Sequence, residues 1–134
     1  MTQPGGPGLA RVLSGVLLVL STTAHSHHSV AAGYDMSQSI EVTGKIVSMD
    51  WINPHAKMMF EVETDSGEVQ SWVVWFTSAN NLFRRGWRND DLPVGETVTV
   101  NGFPARDGSF DMYGGETILP DGRTLFAGNA PGER

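Results

Sequence analysis

From Ile40 the chain alternates. Ile40, Val42, Gly44 and Ile46 share one side and Glu41, Thr43 and Lys45 the other, the period-two pattern of a half-buried strand. Beyond Ile46 the apolar positions move to Val47, Met49 and Trp51, and that change of parity predicts a bulge or sharp bend near Gly44 to Val47. A second strand is predicted from Ala56 to Glu63, with Ala56, Met58, Phe60 and Val62 inward and Lys57, Met59, Glu61 and Glu63 outward. Thr64-Asp65-Ser66-Gly67 closes it into a hairpin with a third strand, Val69 to Phe76, whose loss of alternation after Trp72 predicts burial on both faces. The period then changes. Ser78 to Gly86 reads as a short helix, with Thr77 or Ser78 as N-cap, Gly86 as the left-handed stop, and Arg84 and Arg85 beside the negative end of its dipole. A fourth strand runs from Thr97 to Gly102 and a fifth from Met112 to Leu119. The turn Pro120-Asp121-Gly122 then leads into a small return at Thr124 to Phe126.

A three-strand meander, one helix and two further strands is the chain order of an OB-fold-like five-stranded barrel, an all-β, mainly antiparallel fold whose helix plugs one end. A small open β-sandwich is the alternative. In the barrel, the loop between the first two strands lies at the usual binding surface, and here it is Ile52-Asn53-Pro54. Proline keeps this segment out of the sheet, so His55 falls at a loop-to-strand junction, where a rigid scaffold commonly presents binding groups.

The ends of the chain read differently. Arg11, the apolar run Val12 to Leu20 and the small residues Ser21 to Ala24 have the three parts of a secretory signal, and the run is too short to span a bilayer. Residues 1–24 are therefore expected to be a signal peptide, 25–39 an exposed histidine-bearing arm, 40–127 a single barrel domain and 128–134 a disordered tail. The expected location is periplasmic or secreted, with no membrane span in the mature form. Removing the leader takes one arginine from a chain of 134 residues that already has 9 basic against 15 acidic groups, a balance that disfavours nucleic acid. There are no cysteines, so disulfides, thiol nucleophiles and thiolate metal sites are excluded, and a metal would have to use imidazole, carboxylate or backbone ligands.

Imidazoles cluster at His25-Ser26-His27-His28. Cleavage after Ala24 places His27 third from a free terminus. The amine, two deprotonated amides and that imidazole then supply four in-plane nitrogens suited to Cu(II) or Ni(II). Cleavage after Ser26 makes His27 the first residue and His28 the second. His55 could complete a histidine brace, with Asp35 or Asp50 orienting a ring. The plain alternative is a solvated terminus and a histidine that only caps its loop. Trp51, Trp72, Trp75 and Trp87 could stack sugars or bases, although aromatics at strand spacing are more often core. Arg84, Arg85 and Arg88 could hold an anion, or simply pack their stems at the helix end. No nucleophile elbow, paired-carboxylate spacing or phosphate-cradling loop appears, and Gly114-Gly115 reads as a strand kink.

An ordered set of motifs spans nearly all of the mature chain. It comprises His27-His28-Ser29, Val42-Thr43-Gly44, Trp51-Ile52-Asn53-Pro54-His55-Ala56, Arg84-Arg85-Gly86-Trp87, Val98-Thr99-Val100-Asn101-Gly102 and Leu119-Pro120-Asp121-Gly122-Arg123 with Leu125-Phe126. In this combination the chain resembles a bacterial exported family of unknown function. The resemblance implies a small periplasmic or secreted β domain and a joint role for the His27-His28 pair with His55, and it supplies no reaction. The chain departs from the pattern at His25-Ser26 and at Lys57, which stands where the family has a bulkier apolar residue. The expectation is an exported, noncatalytic module holding copper (Cu2+) through His25, His27, His28 and His55. A metal-free domain that docks a periplasmic protein or small ligand is the alternative, and a copper enzyme comes third.

Overall fold

The computed structural model describes residues 1–2 and 30–128. Six strands follow one another: β1 (Ile40–Asp50), β2 (Lys57–Glu63), β3 (Val69–Trp75), β4 (Thr97–Pro104), β5 (Asp111–Ile118) and β6 (Thr124–Phe126). A helical turn, α1 (Val30–Gly33), precedes them, and α2 (Ala79–Arg84) and a 3-10 turn at Asn89–Asp91 lie between β3 and β4.

The strand order is β3-β2-β1-β4-β5-β6, and a further parallel pairing joins β3 to β5 through Val73–Asp111, Val74–Met112 and Trp75–Tyr113. That pairing closes five strands into a mixed barrel and rules out the open sandwich. The closure covers the β3 edge from Val73 to Trp75. β6 takes over the same edge of β5 further along, pairing with Glu116 to Ile118.

β1 serves both sides of the barrel by bending. Its first half pairs with β4 and its second with β2, and the register slips between Ile46 and Ser48, leaving Val47 as the extra, exposed residue. This is the bulge expected from the parity change. The bend needs Gly44, because a Cβ there would run into the Phe60 ring and the Glu61 carbonyl.

The helix also forms where its signals lie. Ser78 accepts a hydrogen bond from the Asn81 N–H (3.2 Å), and Gly86 turns the chain out at φ 98°. It carries Leu82 over the barrel end, where Trp87, fully buried, sits edge-on to Phe76 (5.2 Å) and donates its indole N–H to the Phe126 carbonyl (2.9 Å). Ile46, Met58, Phe60, Val74, Val98, Val100 and Met112 fill the rest of the core.

One expectation is corrected. β3 is not buried on both faces: Val74 is fully buried, but Val73 and Trp75 are half-covered and Val69 is exposed. On the outer side, Trp75 and Tyr34 meet at the Asp111 carboxylate, which covers part of that face. Within the stretch read as an arm, Ser37 to Ser39 are exposed and Tyr34 to Met36 are half-buried. Gly33 to Asp35 run beside β4, with the Arg106 N–H on the Gly33 carbonyl (3.0 Å), the Asp35 N–H on the Pro104 carbonyl (2.9 Å) and a Tyr34–Ala105 bridge. Among the described residues no helix is long and apolar enough to cross a membrane.

Trp87 is the largest buried side chain, so Trp87→Ala should lower unfolding free energy by about 3–5 kcal/mol in urea titrations. Val94→Ala, at an exposed turn position, should stay within about 0.5 kcal/mol of the parent. Equal losses in the two variants would contradict the core as described.

Candidate functional site

The loop after β1 is sewn onto the start of α2. Its Ile52 carbonyl accepts from the Ala79 N–H (3.1 Å), and the Asn53 side-chain oxygen accepts from the Asn80 N–H (3.3 Å). Two of the helix's first N–H groups, which have no intrahelical partners, are thereby satisfied by the loop. Trp51 stacks on Phe83 (5.2 Å, 20°) and meets Trp87 edge-on (6.4 Å), fixing the other side. The Asn53–Pro54 peptide is cis.

His55 leaves this loop half-buried, with Nδ1 3.1 Å from the Phe76 carbonyl oxygen. A carbonyl can only accept, so Nδ1 carries the hydrogen, and in the neutral ring Nε2 is the nitrogen with the lone pair. Nε2 makes no hydrogen bond among the described residues. A backbone carbonyl on one ring nitrogen and a free lone pair on the other is how proteins commonly hold a metal-ligating or proton-accepting imidazole.

The ring is thus oriented by Phe76 and not by a carboxylate. Asp35 and Asp50, expected as orienting groups, are used elsewhere. The Asp35 carboxylate accepts from the Ser37 hydroxyl (2.6 Å), the Ser37 N–H (3.1 Å) and Gln38 (2.9 Å), and the Ser37 bonds hold it below the usual carboxylate range. Asp50 pairs with Lys57 (3.3 Å), whose ammonium also lies 5.8 Å from the Trp75 ring centre. Both partners are substantially exposed, so the pair adds little stability. It does draw the Lys57 charge toward Asp50.

One feature has no signal in the sequence. Asp111, at the parallel closure, accepts from the Tyr34 hydroxyl (2.6 Å) on one oxygen and from the Trp75 indole N–H (3.2 Å) on the other. The Tyr34 ring also tilts over Tyr113 (5.8 Å). The segment that follows the histidine cluster is therefore pinned to β5, next to Trp75. Trp75 pairs across the sheet with Lys57, which shares the outer side of its strand with His55.

The other candidates separate. His25, His27 and His28 lie outside the described residues. Among the described residues no three His, Asp or Glu side chains are gathered to hold a metal. Trp87 is core. Trp51, Trp72 and Trp75 are half-buried, each against a different neighbour, and form no common platform. Arg88 takes the helix-end role, donating to the Phe83 (3.1 Å) and Trp87 (2.6 Å) carbonyls. Gly114 is a close-packing position, where a Cβ would strike Phe76 and Val74.

The family of unknown function DUF6152 aligns with residues 15–113, most of the chain. The protein belongs to DUF6152. The match takes in the histidine cluster, Tyr34, the Asn53-Pro54-His55 loop, the whole barrel to β4 and the start of β5, including Asp111. It stops before Leu119-Pro120-Asp121-Gly122-Arg123 and β6, so that part of the resemblance falls outside the DUF6152 alignment. No curated protein matches the chain.

The Tyr34 contact fixes a pH dependence. Burial, then the hydrogen bond and charge of Asp111, push the phenol far above the usual tyrosine range, and burial alone raises Tyr113. A raised folded-state value means the stabilisation is complete below the unfolded tyrosine value of about 10 and is lost as pH climbs above it. Tyr34→Phe should cost about 1.5–3 kcal/mol at pH 8, the usual worth of a hydrogen bond to a charged group. It should also lose stability less steeply than the parent between pH 9 and pH 11.5. Urea midpoints across that range test this, and parallel slopes would show that Tyr34 is not held as described.

Proposed function

We propose that this protein is an exported, noncatalytic binding module of the bacterial periplasm or exterior. In this reading it holds a copper ion between the barrel and its N-terminal histidines. The observation that supports it best is the fixed tautomer of His55, whose Nδ1 is spent on the Phe76 carbonyl while Nε2 is left as a donor. Imidazole nitrogen suits Cu(II), and a chain without cysteine has no softer ligand to offer. One imidazole is too little to retain an ion, so the remaining ligands come from His27 and His28, or from His25 and His27 if His25 is the first mature residue.

The pinning of Tyr34 to Asp111 supports this combination. His28 precedes Tyr34 by six positions, and Tyr34 is anchored on the same outer strip of sheet that leads through Trp75 and Lys57 to His55. The Lys57 charge, which would oppose a cation nearby, is offset by Asp50.

A second reading is favoured by Ile52, which is half exposed at the tip of the loop, between Trp51 and the exposed Asn53 and Pro54. An apolar tip on a loop held by hydrogen bonds suits docking of a partner without a metal.

Native intact mass of the exported, untagged protein, with and without one equivalent of Cu(II), separates the two. The copper reading expects one retained ion, at least a tenfold loss of affinity in His55→Ala, and weakening below about pH 6 as imidazoles protonate. An unchanged affinity in His55→Ala removes the shared site, and absence of any adduct on a correctly processed terminus favours the docking reading.

A further inference from the structure

A groove of about 350 Å3 opens on the far side of the barrel, where β4 and β5 lose register between Asn101 and Gly102. Bulges of this kind re-aim side chains and recur beside binding sites. Arg85 is on its wall. Arg88 is bonded to backbone carbonyls and Arg123 to Asp121 and Asp91, while the Arg85 guanidinium makes no hydrogen bond or ion pair among the described residues.

The guanidinium lies against the backbone of Gly128, at φ 93°, where a Cβ would overlap it. Glu116 lines the same groove, its carboxylate held only by a long contact from the Asn101 amide (3.4 Å). Phe103 and the exposed Phe126 supply apolar wall.

The volume is at the lower end of small-molecule sites. A guanidinium with no carboxylate partner among the described residues selects a carboxylate, for which its planar fork is suited. Glu116 repels a dianion and selects an ammonium group, and the two phenylalanines select an apolar body. We infer that this groove binds a zwitterionic amino acid with an apolar side chain, its carboxylate on Arg85 and its ammonium on Glu116. The site is separate from His55 and does not depend on copper.

Metal-free protein, kept in chelator, is titrated with L-phenylalanine and followed by backbone amide chemical shifts. Binding should saturate and move the amides of Gly102, Gly115, Glu116 and Gly128. N-acetyl-L-phenylalanine and L-phenylalaninamide, each lacking one charge, should bind at least about tenfold more weakly, as expected for loss of one charge-assisted contact. Arg85→Gln should abolish the preference for a free carboxylate, and Glu116→Gln the preference for a free amine. Near-UV circular dichroism confirms that each variant keeps its packing. Capped and free ligands binding equally, shifts confined to other surfaces, or no shifts at millimolar ligand would each overturn the assignment.

Discussion

The short parallel pairing of β3 with β5 is the constraint on which the rest depends. Pairing of strands this distant in sequence carries a large loop-closure cost, which the burial of Val74, Phe76 and Met112 behind it must offset. Once made, it turns an open meander into a barrel. It also puts Asp111 beside Trp75, so one carboxylate at the seam can gather the Trp75 indole and the Tyr34 hydroxyl. The direction from which the N-terminal segment reaches the barrel follows from that seam.

Closure also leaves an end that must be covered, and α2 with Trp87 covers it. The cover reaches the candidate site because the Ile52-Asn53 loop hydrogen-bonds to the first residues of α2, while Trp51 stacks on Phe83 in its last turn. His55 therefore stands between two rigid attachments, the plugged barrel end and the β2–β3 ladder that supplies the Phe76 carbonyl. Its orientation belongs to the fold and not to a flexible loop.

Much of this architecture is legible in the residues. The parity slip after Ile46 marks the bulge, Ser78 and Gly86 bracket the helix, and the strand order implies the barrel, because each depends on local periodicity or cap chemistry. The apolar run Val73-Val74-Trp75 misleads, since composition cannot distinguish a position buried in a core from one half-covered on the outer face. The pinning of Tyr34 is invisible for a different reason. Its partner is 77 positions away, and both residues look like ordinary surface polar groups until β3 meets β5. At the site, His55 is conspicuous as the one histidine beyond the N-terminal region, but its tautomer depends on a carbonyl 21 residues later. The carboxylates that sequence spacing suggests as its supports turn out to serve a turn and a lysine.

If copper is shared between the barrel and the N-terminal histidines as proposed, His55 Nε2 is the ligand the barrel contributes. Pulsed electron paramagnetic resonance of the untagged, Cu(II)-loaded protein detects this, because a coordinated imidazole reveals itself through its remote nitrogen. A shared ion gives remote-nitrogen modulation from His55 Nδ1, with the contribution of one imidazole missing in His55→Ala. Spectra that are the same in parent and variant would place copper wholly on the N-terminal segment and contradict the shared site.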